Sequence, residues 1–190
     1  MKTRVTKLSH SQNFLQSKEL VEKLVEGSSL NKDDFAIEVG PGKGIITDAL
    51  AKRCSKVLAI EADEKLYVEL IDRFDSHENI EIKNQDFLES DLPKGEYKVF
   101  SNIPFNITSD LVRKLLDSEN PPSDSYLIIQ KDAAERFAGF AGETLFSVLY
   151  KPWFEFSIEH EFKRSDFVPN PSVDTVLLWI KKIEKQNNLC

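Results

Sequence analysis

Asn102-Ile103-Pro104-Phe105, led in by Ser101 and followed by Asn106, sets an amide, a proline and an aromatic ring directly after an apolar run, Tyr97-Lys98-Val99-Phe100. This combination suits methylation of an exocyclic amine on a planar base. Adenine N6 is a poor nucleophile because its lone pair is delocalised into the ring. The side-chain carbonyl of Asn102 and the backbone carbonyl of Ile103 can accept its two N–H bonds and favour the pyramidal, reactive nitrogen. Pro104 ends the strand, and Phe105 offers a stacking face for a base drawn out of its strand. A plain strand-to-helix turn accounts for the same residues, so the weight of the tetrapeptide depends on what precedes it.

Gly40-Pro41-Gly42-Lys43-Gly44 follows an apolar run and opens a helical pattern. Glycines there let the backbone turn tightly and approach a ligand closely. The spacing is GxGxG, not the GxGxxG of a dinucleotide site, and the GxxxxGK[ST] of a phosphate-cradling loop is absent. Glu61 ends the next strand-like run, where a carboxylate can accept both ribose hydroxyls of an adenosine. Asp86, in Asn84-Gln85-Asp86-Phe87, follows the third run and can accept an adenine amino hydrogen. Each carboxylate alone reads more simply as a helix cap or a solvated loop residue. A glycine loop, a Glu and an Asp at three successive strand ends together point to adenosine binding.

The elements that must position these residues alternate. Strands are predicted at 35–39, 56–60, 79–83, 97–101, 126–130, 153–162 and 175–182, from short apolar runs bounded by turn residues. Helices are predicted at 45–53, 63–74, about 108–116, 132–137 and 144–150, with Thr108 as the N-cap of the third. Alternation of this kind implies an α/β fold, a seven-stranded, mostly parallel sheet with helices on both faces. The two final strands in succession predict an antiparallel hairpin at one edge. In such sheets the ligand sits beyond the carboxyl ends of the strands, where every motif above falls.

Composition sets limits. The chain has 190 residues, 41% hydrophobic and 30% charged, enough for one domain burying about 70% of its unfolded surface. No run approaches a membrane span, and the N-terminus lacks the apolar core of a signal peptide. Cys54 and Cys190 are too few for a disulfide framework, and His10, His77 and His160 have no ligand spacing. A cytoplasmic, metal-free protein is expected. The net charge of −7 disfavours a polyanionic partner, but Lys2, Arg4, Lys7 and Lys18 all precede the first acid and form a basic rim that can engage phosphates locally.

Taken with Ser11-Gln12-Asn13-Phe14-Leu15 and Phe167-Val168-Pro169-Asn170-Pro171-Ser172-Val173-Asp174, these motifs resemble the rRNA adenine N6-dimethyltransferases, which include the Erm macrolide-resistance enzymes and the KsgA/Dim group. The matches run in order from about residue 9 to about 182. The resemblance implies a Rossmann-like class I methyltransferase fold, S-adenosyl-L-methionine as cofactor, and ribosomal RNA as partner; a monomer is the default expectation. It implies that Asn13 and Leu15 close over the cofactor. Gly40 and Gly42 contact it from the glycine loop, Glu61 holds its ribose and Asp86 its adenine. Asn102 touches both cofactor and target amine, Phe105 stacks on the flipped adenine, and Phe167 is a second aromatic near the transferred methyl. Ser11-Gln12-Asn13 and Asn102-Ile103-Pro104 are closer to the Erm type, which implies 23S rRNA; Gln130-Lys131-Asp132-Ala133-Ala134-Glu135-Arg136 is KsgA-like, which would mean 16S rRNA. Phe105 stands where Tyr is common in the family. Residues 1–182 are expected to form the catalytic domain and 183–190 a short tail, without the family's helical C-terminal domain. The rivals are an enzyme using the same loop on DNA adenine or a protein glutamine, and a non-catalytic cofactor- or RNA-binding factor.

Overall fold

Apolar side chains alternating along the central strands face two separate cores, and this fixes the architecture. The computed structural model describes residues 13–184. Lys2, Arg4, Lys7, His10, Ser11, Gln12 and Cys190 lie outside the described residues. In chain order the elements are β1 (Phe14–Leu15), α1 (Lys18–Glu26), β2 (Phe35–Val39), α2 (Ile45–Arg53), β3 (Lys56–Glu61), α3 (Glu64–Phe74), β4 (Ile80–Asn84), β5 (Lys98–Asn102), α4 (Thr108–Leu116), β6 (Asp124–Gln130), α5 (Lys131–Ala138), α6 (Leu145–Tyr150), β7 (Phe154–Phe162), β8 (Phe167–Val168) and β9 (Thr175–Lys182).

Seven strands form one sheet in the order β4-β3-β2-β5-β6-β9-β7. β4, β3, β2, β5 and β6 pair in parallel. β9 runs antiparallel to both β6 and β7, which is the expected edge hairpin. Ile37, Val99, Leu127 and Ile129 pack on one face with Leu111, Leu115, Ala134 and Phe137 of α4 and α5. Ala36, Phe100, Tyr126 and Ile128 pack on the other with Val21, Val25, Ala49 and Leu50 of α1 and α2. Neighbouring residues of one strand thus serve opposite cores, as the two-residue period of a strand requires.

The short β1–β8 pair was not predicted, and two further points differ from the sequence expectation. α1 was not predicted, although Ser17 caps it by accepting a hydrogen bond from the Leu20 amide at 3.1 Å, and Val21 and Val25 bury one stripe. Thr108 is not an N-cap. A 3₁₀ turn over Phe105–Ile107 runs straight into α4, so Thr108 is already helical and its hydroxyl donates back to the Pro104 carbonyl at 3.4 Å.

The glycine loop is held against α3. Gly44 has φ +76°, and a Cβ there would lie 2.6 Å from the Phe74 ring and 3.0 Å from Leu70. Gly44→Ala should therefore destabilise the chain by about 2–4 kcal/mol, combining left-handed strain with overpacking. Gly95→Ala, where nothing lies within 4 Å, should stay within about 0.5 kcal/mol of the parent. Urea denaturation midpoints of both variants check this; equal effects would contradict it.

Candidate active site

β2 and β5 sit side by side at the centre of the sheet, yet the chain builds outward from them in opposite directions, through β3 and β4 on one side and β6 on the other. Such a reversal leaves a crevice at the strand tips. The β2–β5 ladder joins Ala36 to Lys98 and Ile37 to Val99. Further along, the Ser101 hydroxyl accepts the Val39 amide at 2.7 Å, a side chain spanning a gap between backbones. Above it opens a cleft at the strand tips. One lip is Glu38, Gly40, Pro41 and Lys43; the other is Asn102, Ile103, Pro104 and Phe105; Asn13, Phe14 and Leu15 complete the wall.

The glycine loop supplies backbone rather than side chains to this lip. The Gly40 amide donates to the Ile60 carbonyl at 2.9 Å, fastening the loop to β3. Gly42 has φ +56°, and a Cβ there would fall 2.6 Å from the Phe14 ring, so the N-terminal segment lies directly on the loop. The Lys43 ammonium stands 5.4 Å from the centre of the same ring, within cation–π range.

Two carboxylates meet beneath the loop. Glu61, at the end of β3, is 2% exposed and accepts the Gly42 amide at 3.1 Å and the Asp63 amide at 2.9 Å. Burial raises its carboxyl above the usual range, and the backbone hydrogen bonds oppose the rise. Glu38, on β2, is 1% exposed, lines the cavity and accepts the Thr47 hydroxyl at 2.6 Å. Burial pushes it up to about 8, and the charge of Glu61 adds to the rise. Sequence reasoning singled out Glu61 but not Glu38. Its signal was a Glu inside an otherwise apolar strand, two residues before Gly40.

The structure gathers Asn13, Leu15, Gly40, Asn102, Ile103, Pro104 and Phe105 around one cavity. Gly42 and Glu61 stand directly behind its glycine lip. Asp86 is outside the cavity lining: it is exposed, and its carboxylate accepts the Leu88 amide at 2.9 Å as the cap of a 3₁₀ turn. It remains near Glu61, because Asn84 and Gln85 both donate to the Glu61 carbonyl, at 2.9 and 3.0 Å. Phe167 is also not in the lining. Its ring is 1% exposed and packs edge-on against Phe162 at 5.3 Å, in the core behind Leu15, its partner across the β1–β8 pair.

Asn102 carries the geometry of the second lip. It is half-buried, and its amide nitrogen donates to the Asn13 carbonyl at 2.7 Å. Ile103 is fixed by its amide, which donates to the Ile128 carbonyl at 3.1 Å, and by burial of its side chain. Pro104 packs 3.8 Å from where a Gly40 Cβ would lie. Phe105, half-buried, begins the 3₁₀ turn. The arrangement can offer an amide acceptor and an aromatic ring to a planar amine, opposite a slot lined by the glycine loop and Glu38. Among the described residues no group of three or more His, Cys, Asp or Glu could hold a metal ion, and no helix is long and apolar enough to cross a membrane.

Comparison with known proteins gives the family and the fold. A family model described as ribosomal RNA adenine dimethylase matches residues 4–188. An rRNA adenine N-6-methyltransferase of Bacillus licheniformis is 33% identical over 174 residues, covering 90% of this chain and 60% of the relative. Ribosomal RNA small subunit methyltransferase A of Ligilactobacillus salivarius is 34% identical over 188 residues, covering 93% and 64%. The chain therefore spans somewhat over half the length of these curated relatives. The crystal structure of the 23S rRNA methyltransferase ErmE superimposes with a TM-score of 0.84 at 29% identity, over 90% of this chain and 70% of that one. The fold is thus the Rossmann-like methyltransferase fold.

Glu38 makes a pH prediction. In the unfolded chain its carboxyl ionises near 4.5, and in the folded chain near 8. Between these values the unfolded chain releases the proton more readily, so rising pH favours unfolding, and the penalty is complete above about 8. Glu38→Gln keeps an acceptor for Thr47 and removes the titration. Its stability relative to the parent should rise from pH 5 to pH 8.5, each tenfold difference in proton affinity being worth about 1.4 kcal/mol. Thermal unfolding of the two proteins across that range checks it; a constant difference would contradict it.

Proposed function

Because this chain belongs to the ribosomal RNA adenine dimethylase family, we propose that it methylates N6 of an adenine in ribosomal RNA, using S-adenosyl-L-methionine. The observation that carries the proposal is the single cavity in which the Asn102 amide and the Phe105 ring face the glycine loop and Glu38. The residues fit the cofactor. A Cβ at Gly42 would collide with Phe14, so the loop there is bare backbone, and Glu38 in the cavity wall and Glu61 behind the glycine lip have no paired Lys or Arg among the described residues. Glu61 is assigned to the ribose hydroxyls, Gly40, Gly42, Asn13 and Leu15 to the remainder, and Asp86 to the adenine amine. When bound, the cofactor supplies a methyl group on a sulfonium.

Asn102 accepts one hydrogen of the target amine through its carbonyl oxygen, and the Ile103 carbonyl accepts the other. Together they turn the nitrogen lone pair out of conjugation and toward the cofactor slot. Phe105 stacks on the extruded base and offsets part of its unstacking cost of a few kcal/mol. No strong general base is needed, since the amine becomes acidic only after it is methylated and its proton then passes to water. Positioning is the main contribution of the protein. Phe167 supports the wall from behind through Leu15 rather than by touching the base.

Within this class we assign large-subunit 23S rRNA, on the Asn102-Ile103-Pro104 and Ser11-Gln12-Asn13 motifs and the likeness to a 23S enzyme. That assignment makes the chain a macrolide-resistance type of methyltransferase, and we take it to act in the cytoplasm as a monomer with its catalytic unit in residues 1–182. The small-subunit reading is favoured by a relative named for that activity. Primer extension on naked and assembled 23S and 16S rRNA, after incubation with chain and cofactor, separates the two. A stop at a 23S adenine is expected, and one confined to 16S would move the assignment to the small subunit. No methylated adenine in either would contradict the function.

Asn102→Ala should lower turnover at least about a hundredfold, as loss of a transition-state hydrogen bond in a dry site does, while calorimetry still detects cofactor binding. Phe105→Tyr should keep most activity and Phe105→Ala lose most of it. Equal rates for the two Phe105 variants would remove stacking from the mechanism.

A further inference from the structure

The side-chain amide of Asn102 is already half engaged, and by a residue 89 positions away. Its nitrogen donates to the backbone carbonyl of Asn13 at 2.7 Å. A carbonyl only accepts, so the amide nitrogen must face it; the reverse orientation would set two acceptors against each other. With the nitrogen committed, the oxygen of the planar amide is turned to the other side, as the acceptor left for a ligand N–H. Asn13 begins a strap. Phe14 and Leu15 pair with Val168 and Phe167, and the Gln16 amide donates to the Asp166 carbonyl at 3.0 Å. The Phe14 ring lies on Gly42 with Lys43 over it, and Asn13, Phe14 and Leu15 line the cavity.

We infer that the N-terminal strap, residues 13–16, is the positioning element for the catalytic amide: closed, its Asn13 carbonyl orients Asn102 to accept the target amine; open, it leaves that amide free to rotate. This rests on the assignment of Asn102 to the target amine. The cofactor slot and the amine acceptor are then set by one closure, because Phe14 covers the glycine loop while Asn13 holds Asn102. It also gives a reason for an amide at position 102. A carboxylate would accept the target N–H equally well, but it would repel the Asn13 carbonyl and push the strap open.

The test uses the full chain and the variants Asn102→Asp and Phe14→Ala, with hydrogen exchange at the Gln16 amide reporting closure and steady-state methylation reporting competence. Asn102→Asp, without cofactor, should speed Gln16 exchange about tenfold, the loss of roughly one hydrogen bond, while β6 amides keep their protection and report an intact fold. Phe14→Ala leaves Asn102 untouched. It should speed the same exchange and lower kcat, measured at saturating cofactor and RNA, on the order of tenfold through misplacement of the amide, beyond any rise in KM. Unchanged Gln16 exchange in Asn102→Asp would overturn the coupling, as would a Phe14→Ala effect confined to the KM for cofactor. If the parent methylates no RNA, the functional assignment fails, and the exchange measurement still decides whether residue 102 governs the strap. Should Asn102→Asp lose β6 protection, Asn102→Ala, which removes the donor without adding charge, takes its place with the same expected exchange.

Discussion

The site depends on the parting of two parallel strands. β2 and β5 are laddered through Ala36–Lys98 and Ile37–Val99, and then only the Ser101 hydroxyl reaches across, to the Val39 amide. The lower end is pinned. The Lys98 ammonium, 9% exposed, donates to Asp34 and to the Ser29 carbonyl at 2.9 and 2.8 Å, and Asp124 stands 3.9 Å away, itself accepting the Trp179 indole N–H. A buried charge cluster of this kind adds little net stability but is costly to rearrange, which holds the lower ends of the strands together. With the base fixed and the tips separated, each strand end becomes a lip: glycine loop and acids on one, the Asn102–Phe105 turn on the other. The two halves of the proposed chemistry meet because the sheet reverses direction there.

Environment gives the two buried acids different characters. Glu61 is surrounded by backbone amides, which stabilise its charge and suit it to hydroxyl donors. Glu38 receives one hydroxyl and sits against Glu61, so it holds its proton toward pH 8. Neither acid has a Lys or Arg partner among the described residues, so the slot offers a phosphate no counter-charge, which separates this glycine loop from the phosphate-cradling loops it superficially resembles. Lys43 remains exposed at the rim, over Phe14.

Much of this was legible in the residues. The strand positions followed from short apolar runs, and the glycine loop, Glu61 and the Asn102–Phe105 turn from their places at strand ends. What escaped had physical causes. α1 carries its apolar stripe among many charges, and Val21 and Val25 show their purpose only against α2 and the sheet. β1 and β8 are two residues each, too short for any period. Thr108 has the chemistry of a cap, but the preceding 3₁₀ turn consumes that position. Phe167 is adjacent to the site in sequence pattern, and burial against Phe162 settles its orientation inward. The Asn13–Asn102 contact joins residues 89 positions apart and involves a backbone oxygen, so no side-chain motif encodes it.

The most direct measurement is a crystal structure of the chain grown with S-adenosyl-L-methionine. The expected result is ligand in the cavity between β2 and β5, ribose hydroxyls on Glu61, and the donor methyl directed at the space between the Asn102 carbonyl oxygen and the Phe105 ring. Ligand bound elsewhere, or in the cavity with its methyl turned away from Asn102, would contradict it.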